Sequence, residues 1–463
     1  MDAFIWLVVV VIGLLIYWVR SRSDDETIED CLPPGSMGLP FIGKSVEFAK
    51  KKIEFFREGH AKYGKIFKTR LFGKSIIRVY GSENIRTIIQ GENKIVQSAY
   101  PASVRKLLGE QAISMSHGEI HKTKKRHLMK FLCPEFFANH TPVMAKLMSD
   151  RIGTWSTEPA IDLYKEVKNL FIELAARFLI NIDLDDDDIA QLRDQLEIFT
   201  NNIFCLPVNI PGLGFNKALK ARDIMRKMIG EWVTKSKNNN SSNELSSVLQ
   251  SLLKESGEDA DDLTLIDTII DLLFSSAQTV SSAGCSVGYK LATDADVREK
   301  VLDNIREQNL LDTESTIFLN GVTKMSYVTG VVKETLRLLP PVGGAYRTAL
   351  ETFELDGYTI PKGWSISFSI RETHHNDSSL SDVDRFNPDR WLNSNSNNDR
   401  YSCIPFGAGS RVCPGQAYAN MILKLFAIEL TRSCTPTIVK DSEFTSWPLP
   451  KPKEQVLVRI GRK

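Results

Sequence analysis

The stretch FGAGSRVCPGQAYA, residues 406–419, gathers the residue types that chemistry needs. Gly407, Gly409 and the pair Pro414-Gly415 surround one thiol, Cys413, and a run of good helix formers comes after it. A Gly-rich loop before a helix lets backbone amides approach and point at one sulfur. Helix-start amides and a nearby cation such as Arg411 lower a thiol pKa. These surroundings predict an anionic sulfur that serves as a metal ligand. With one cysteine and no histidine set beside it, zinc is poorly served, whereas haem iron needs a single proximal protein ligand. An inert cysteine buried in a turn is the competing reading.

The rest of the chain must position that sulfur. Its 463 residues carry 58 Lys+Arg against 57 Asp+Glu, with 42% hydrophobic and 25% charged residues, an ordinary globular composition. The near-zero net charge argues against a general nucleic-acid binder. Cysteines 31, 133, 205, 285, 403, 413 and 434 are scattered without a CxxC pair, which suits a reducing compartment. Helical periodicity runs through 136–156, 161–181, 189–206, 216–237, 244–256, 262–292, 295–308 and 325–338. Strand-like stretches are fewer: 66–73, 75–81, 353–360 and 364–370, with Asp356-Gly357 as a hairpin turn. The acidic run Asp185 to Asp188 reads as a helix start. The segments 235–243 and 393–400 read as polar surface loops. Length alone suggests roughly three domains, but a helix-dominated single body fits the pattern better.

Ala3 to Val19 form an uninterrupted apolar run closed by Arg20 and Arg22, at the short end of what spans a bilayer. The positive charges come after the run, so the downstream chain is expected in the cytosol. The expected organisation is a membrane anchor at 1–22, an acidic then Pro/Gly-rich hinge at 23–43, and a catalytic body at 44–463.

The cysteine loop resembles that of the cytochrome P-450 superfamily, F-x-x-G-x-R-x-C-x-G, at Phe406, Gly409, Arg411, Cys413 and Gly415. Other landmarks of that family are present. Glu334 and Arg337 stand as its E-x-x-R, and Arg390 in RFNPDRW is their partner. Arg347 falls where the family places a haem-propionate arginine. GEIHKTKKRHLMKFL, 118–132, resembles the helix crossing the haem, with His121 in place of the usual Trp and Lys125 one turn on. Its basic face suggests docking of an acidic flavoprotein reductase. The resemblance implies a mainly helical fold with a smaller β region, haem b (iron protoporphyrin IX), O2, and an NADPH-cytochrome P-450 reductase at the endoplasmic reticulum membrane. Several segments, among them 82–109, 204–212 and 346–370, are similar to the retinoic-acid hydroxylase family, and some to plant sterol and triterpenoid hydroxylases. By resemblance Tyr100 and Arg105 lie in a loop covering the haem. Phe204 to Phe215 form an apolar lid, and Phe204 and Ala277 are further candidate substrate contacts.

One landmark departs from the family. The oxygen-site helix should read A/G-G-x-D/E-T, and here it reads Ser275-Ser276-Ala277-Gln278-Thr279. Thr279 keeps the hydroxyl, but Gln278 replaces the acid, and an amide cannot take up and release a proton. Proton delivery is then expected to rely on water, Thr279 and the added serines. The leading reading is a hydroxylase of an apolar isoprenoid-type substrate such as a retinoid. The alternatives are a sterol or triterpenoid hydroxylase, a reductase-independent hydroperoxide isomerase or dehydratase, and a non-catalytic haem protein that sequesters its ligand. No P-loop or Rossmann glycine pattern is present, so NADPH is not expected to bind this chain.

Overall fold

The computed structural model describes residues 31–109, 112–238, 262–392 and 399–462. The anchor run 3–19, the acidic stretch and most of the two polar loops lie outside the described residues, as does the helix expected at 244–256. Among the described residues no helix is long and apolar enough to cross a membrane. The chain divides into two units, 1–99 with 344–369, and 100–343 with 370–463.

The first unit is built on a mixed sheet. Strands β1 (Gly35–Ser36), β2 (Ile66–Leu71), β3 (Lys74–Val79), β4 (Val96–Ser98), β5 (Gly344–Ala349) and β6 (Ser365–Ser369) lie in the order β1-β2-β3-β6-β5-β4. β-Branched and aromatic residues explain the central strands: Ile66, Phe67, Ile77, Val79, Ile366 and Phe368 are all buried. Within the segment read as a hinge, Gly35 and Ser36 pair in parallel with Lys68 and Thr69. The reason is local: a Cβ at Gly35 would meet the Lys68 carbonyl oxygen at 2.0 Å, so only glycine lets the two backbones approach. Helices α1 (Ser45–Lys51), α2 (Ile53–Tyr63) and α3 (Ser82–Gln90) belong to the same unit. The Asp356-Gly357 turn holds both residues at positive φ, 52° and 78°, as a tight hairpin requires.

The second unit is helical. It contains α4 (Ala102–Leu108), α5 (Gly118–Phe131), α6 (Pro134–Trp155), α7 (Leu163–Ala175), α8 (Asp186–Asn201) and α9 (Gly214–Asn238). Next are α10 (Asp262–Leu273), a π turn (Phe274–Gln278) and α11 (Thr279–Thr293). Then come α12 (Ala295–Arg306), α13 (Leu319–Lys324), α14 (Ser326–Leu338), α15 (Ile370–His375) and α16 (Gln416–Ser433). The expected helix 262–292 is thus interrupted once, and the expected start at Asp185 is a cap, its carboxylate accepting from the Asp188 N–H. Strands β7 (Cys434–Lys440) and β8 (Leu457–Arg462) close the chain as an antiparallel pair.

Two packing contacts fix the interior of this unit. In α11, Gly284 and Gly288 let neighbours approach: a Cβ at Gly284 would sit 2.4 Å from the Phe171 ring of α7. The second contact is ionic. Glu334 is fully buried and its carboxylate accepts five hydrogen bonds. Two come from Arg337 (2.9 and 2.8 Å), and one each from Arg390 (3.0 Å), the Trp391 indole (2.9 Å) and the Asn387 amide (3.1 Å). Burial alone would raise the Glu334 pKa, but the Arg337 hydrogen bond and charge, with the Asn387 and Trp391 donors, hold it below the ordinary range. Glu334→Ala leaves Arg337 charged, buried and without that partner, so unfolding free energy should fall by about 3–5 kcal/mol in urea titration. The stabilisation is present above the ordinary glutamate range and lost as pH falls below it.

Candidate active site

The cysteine loop is a tight reversal locked by its own backbone. The Cys413 N–H donates to the Phe406 carbonyl at 2.9 Å, Gly407 to Ile404 at 2.8 Å, and Val412 to Gly409 at 3.2 Å. Gly407 and Gly409 both take positive φ, 70° and 67°, which is why glycines stand there. Gly415 precedes α16, and a Cβ on it would lie 3.9 Å from Cys413 Sγ. The Cys413 side chain is exposed, yet it sits deep enough among protein atoms that desolvation raises its pKa. Together these place the sulfur on the wall of a recess. The Gly415 amide and the Lys125 charge pull the thiol the other way without prevailing. The expectation that Arg411 lowers this pKa needs correcting. Its guanidinium is spent on Ser116 O (2.8 Å) and His117 Nδ1 (3.1 Å).

Those contacts tie the loop to α5. Lys125 donates to Ser410 O at 2.8 Å, burial lowers its pKa, and the Cys413 sulfur opposes that fall. His121, one turn earlier, is half-exposed, and Leu128 is the buried residue of this helix. The strap 113–117 before α5 reaches the other way as well, since the Ile113 N–H donates to Asp271 Oδ2 on α10 at 3.2 Å. The strap therefore joins the cysteine loop to the helix that carries the π turn.

In that turn Ser275 is exposed and Thr279 partly exposed, on a helix whose next residues are buried. Ala277 and Gln278, by contrast, are each 0% exposed. Both expectations for them are corrected. Ala277 meets no open space and cannot touch a substrate, and Gln278 lies against α8, its amide donating to Thr200 Oγ1 at 2.9 Å. The physical reason is the π turn, which shifts the helical phase so that serine and threonine, not glutamine, border open volume. Of the added serines, Ser275 is the exposed one and Ser276 is half-buried.

The remaining expected residues are dispersed. Arg347, in the other unit, is buried and paired with Glu92 at 2.6 Å. Arg105 is exposed on α4, Tyr100 is half-buried at the core edge, and the Phe204 ring contacts Trp447 at 5.2 Å. Glu334, Arg337 and Arg390 meet around one carboxylate. A residue outside the sequence landmarks connects them to the sulfur: His374 is fully buried, its Nδ1 is 3.0 Å from Arg337 O, and its Nε2 accepts from the Ile404 N–H at 2.9 Å. Nδ1 must therefore carry the proton, and desolvation lowers the pKa to about 4.

The family model described as Cytochrome P450 matches residues 33–458. The chain belongs to the cytochrome P450 family. This P450 is 35% identical over 424 residues to "Cytochrome P450 26B1" of Mus musculus, covering 89% of this chain and 82% of the relative. It is likewise 35% identical to "Cytochrome P450 26A1" of Xenopus laevis over 431 residues, covering 90% and 87%. The solved structure titled "Retinoic acid bound cyanobacterial CYP120A1" superposes with a TM-score of 0.85 at 28% identity, over 93% of this chain and 99% of that one. The fold is thus the mainly helical P450 fold, and one family match runs through both units. As a P450 the protein is a haem-dependent monooxygenase that needs O2, a redox partner and a lipophilic substrate.

The site suits the haem. Among the described residues no three His, Cys, Asp or Glu side chains gather around a metal position. A recess with one accessible sulfur on its wall matches a cofactor that takes a single protein ligand.

Two variants check this geometry. His374 loses stability to protonation as pH drops from its ordinary 6.5 towards about 4. The wild type should shed on the order of 1.4 kcal/mol per pH unit more than His374→Asn across that window, read by urea unfolding at each pH. Gln278→Glu places a carboxyl where the sole described partner is the Thr200 hydroxyl. It should cost on the order of 1–3 kcal/mol at pH 7 in thermal unfolding, a penalty that vanishes towards pH 4, with no gain in product.

Proposed function

We propose that the chain is a membrane-anchored haem-thiolate hydroxylase of an apolar isoprenoid-type substrate, in the first place retinoic acid or a related retinoid. Cys413 would hold the iron of haem b through its sulfur. The observation that carries this reading is the accessible sulfur held in the recess by the Phe406 and Gly415 backbone. The retinoid class is supported by the similar segments 82–109, 204–212 and 346–370. The retinoic acid bound to the solved relative supports it too.

When bound, the haem iron supplies oxygen insertion into a C–H bond with electrons from an NADPH-cytochrome P-450 reductase. The chain's own residues do the rest. Desolvation favours the neutral Cys413 thiol, so the thiolate that would hold the iron needs the cation itself for its charge. The Gly415 amide and Lys125 favour the resulting anion. Gly407 and Gly409 would let the loop turn at the cofactor and Phe406 would supply an apolar flank, while His121, Lys125 and Arg411, and by resemblance Arg347, are the candidates for its carboxylates. The Thr279 hydroxyl, partly exposed, would be the group that hydrogen-bonds the reacting oxygen. Tyr100, Arg105 and Phe204 are the candidate substrate contacts, with the exposed apolar residues Leu206, Val208 and Ile210 beside Phe204. Residues 1–22 anchor the protein in the endoplasmic reticulum membrane with the body in the cytosol, and α5 presents its basic residues to the reductase.

A carbon-monoxide difference spectrum of the reduced protein should show the red-shifted Soret band of a thiolate ligand, and Cys413→Ala should lose it. Titrating the wild-type haem spectrum with retinoids, sterols and fatty acids should give the tightest response with retinoids. A persisting band in Cys413→Ala, or a preference for sterols, overturns the corresponding part.

A further inference from the structure

The short turn Gly409–Arg411, just ahead of the sulfur, leans on the strap and on α5 through three hydrogen bonds. Arg411 Nη1 donates to Ser116 O at 2.8 Å, Arg411 Nη2 meets His117 Nδ1 at 3.1 Å, and Lys125 donates to Ser410 O at 2.8 Å. Two of these three acceptors are backbone carbonyls, which any residue supplies. The third is a side-chain nitrogen, so the joint depends there on what stands at position 117. A guanidinium donates hydrogen bonds and accepts none. His117 Nδ1 is therefore the acceptor, which leaves the imidazole neutral with its proton on Nε2. The two terminal nitrogens of Arg411 grip adjacent residues. One contact leaves a guanidinium free to turn, whereas two from its planar fork fix the plane. His117 also stands at the N-cap of α5, where its backbone is extended and its side chain makes no cap hydrogen bond. Serine, threonine, aspartate and asparagine are the residues that cap well. The imidazole forgoes that role and is turned to the arginine instead.

We infer that His117 is a positioning residue for the candidate haem site: its Nδ1 fixes the Arg411 guanidinium and, through it, the turn that leads into Cys413. His117 acts through the arginine rather than on the sulfur. The strap that carries it is braced at its other end, where the Ile113 N–H donates to Asp271 Oδ2 at 3.2 Å. The guanidinium is thus held by a fixed segment, and the loop it belongs to keeps the sulfur aligned. The inference rests on the haem-thiolate reading above.

The test follows the thiolate band of the reduced, carbon-monoxide-bound holoenzyme as it decays in a fixed concentration of urea. His117→Ala should lose the band on the order of fivefold faster than wild type, the worth of one net hydrogen bond. His117→Asn carries an accepting Oδ1 where Nδ1 stood and should keep the wild-type rate. His117→Ser supplies a helix cap, but its hydroxyl stops one bond short of the arginine, so it should decay as fast as His117→Ala. In an Arg411→Lys background, which has no fork, His117→Ala should add nothing. Far-UV circular dichroism in the same urea follows the helices separately. A wild-type rate in His117→Ala overturns the inference, and so does fast decay in His117→Asn. A wild-type rate in His117→Ser overturns it in favour of helix capping. The full effect of His117→Ala persisting beside Arg411→Lys overturns it as well. A wild type without the thiolate band overturns the haem-thiolate reading instead.

Discussion

The arrangement depends on one buried carboxylate. Glu334 has no access to water, and five donors from four residues compensate it. Removing any of them exposes a charge to a low-dielectric interior, so the segment 387–391 and helix α14 are held as a unit. From there rigidity passes in single steps. The Arg337 carbonyl holds the His374 ring, and the same ring holds the Ile404 amide. Ile404 in turn accepts from Gly407 at the start of the cysteine loop. The sulfur is thus positioned by a chain of neutral and ionic hydrogen bonds that begins at a residue with no part in the chemistry.

On the opposite side the loop is held by cations acting as hydrogen-bond donors. Arg411 grips the strap at Ser116 and His117, and Lys125 grips Ser410. The energetic consequence is a division of labour. The cations align the loop, while burial holds the thiol towards its neutral form.

Much of this could be read from residue types and spacing. The cysteine loop, the Glu-x-x-Arg pair with its distant arginine, and the main helices carry local signals: glycine at positive φ, an i, i+3 pair, apolar periodicity. Three features could not be read. Gln278 and Ala277 looked like site residues because sequence spacing assumes an unbroken helical phase, and the π turn breaks it. Gly35–Ser36 looked like a hinge because a two-residue strand has no periodicity to detect. His374 carries no local signal, because its partners, Arg337 and Ile404, are 37 and 30 positions away.

The π turn also acts as a phase register. N-terminal to it, α10 keeps to one apolar stripe, and beyond it α11 is buried almost all round through Gly284 and Gly288 against α7. Each residue added to or taken from a helix rotates the downstream side chains by about 100°. The single extra residue in 274–278 is therefore what lets one continuous helix serve two unrelated surroundings. It keeps the small-residue face of α11 seated in the core while a serine and a threonine are left on open volume. Length at this one turn, rather than the identity of any side chain, selects which residues the chemistry meets.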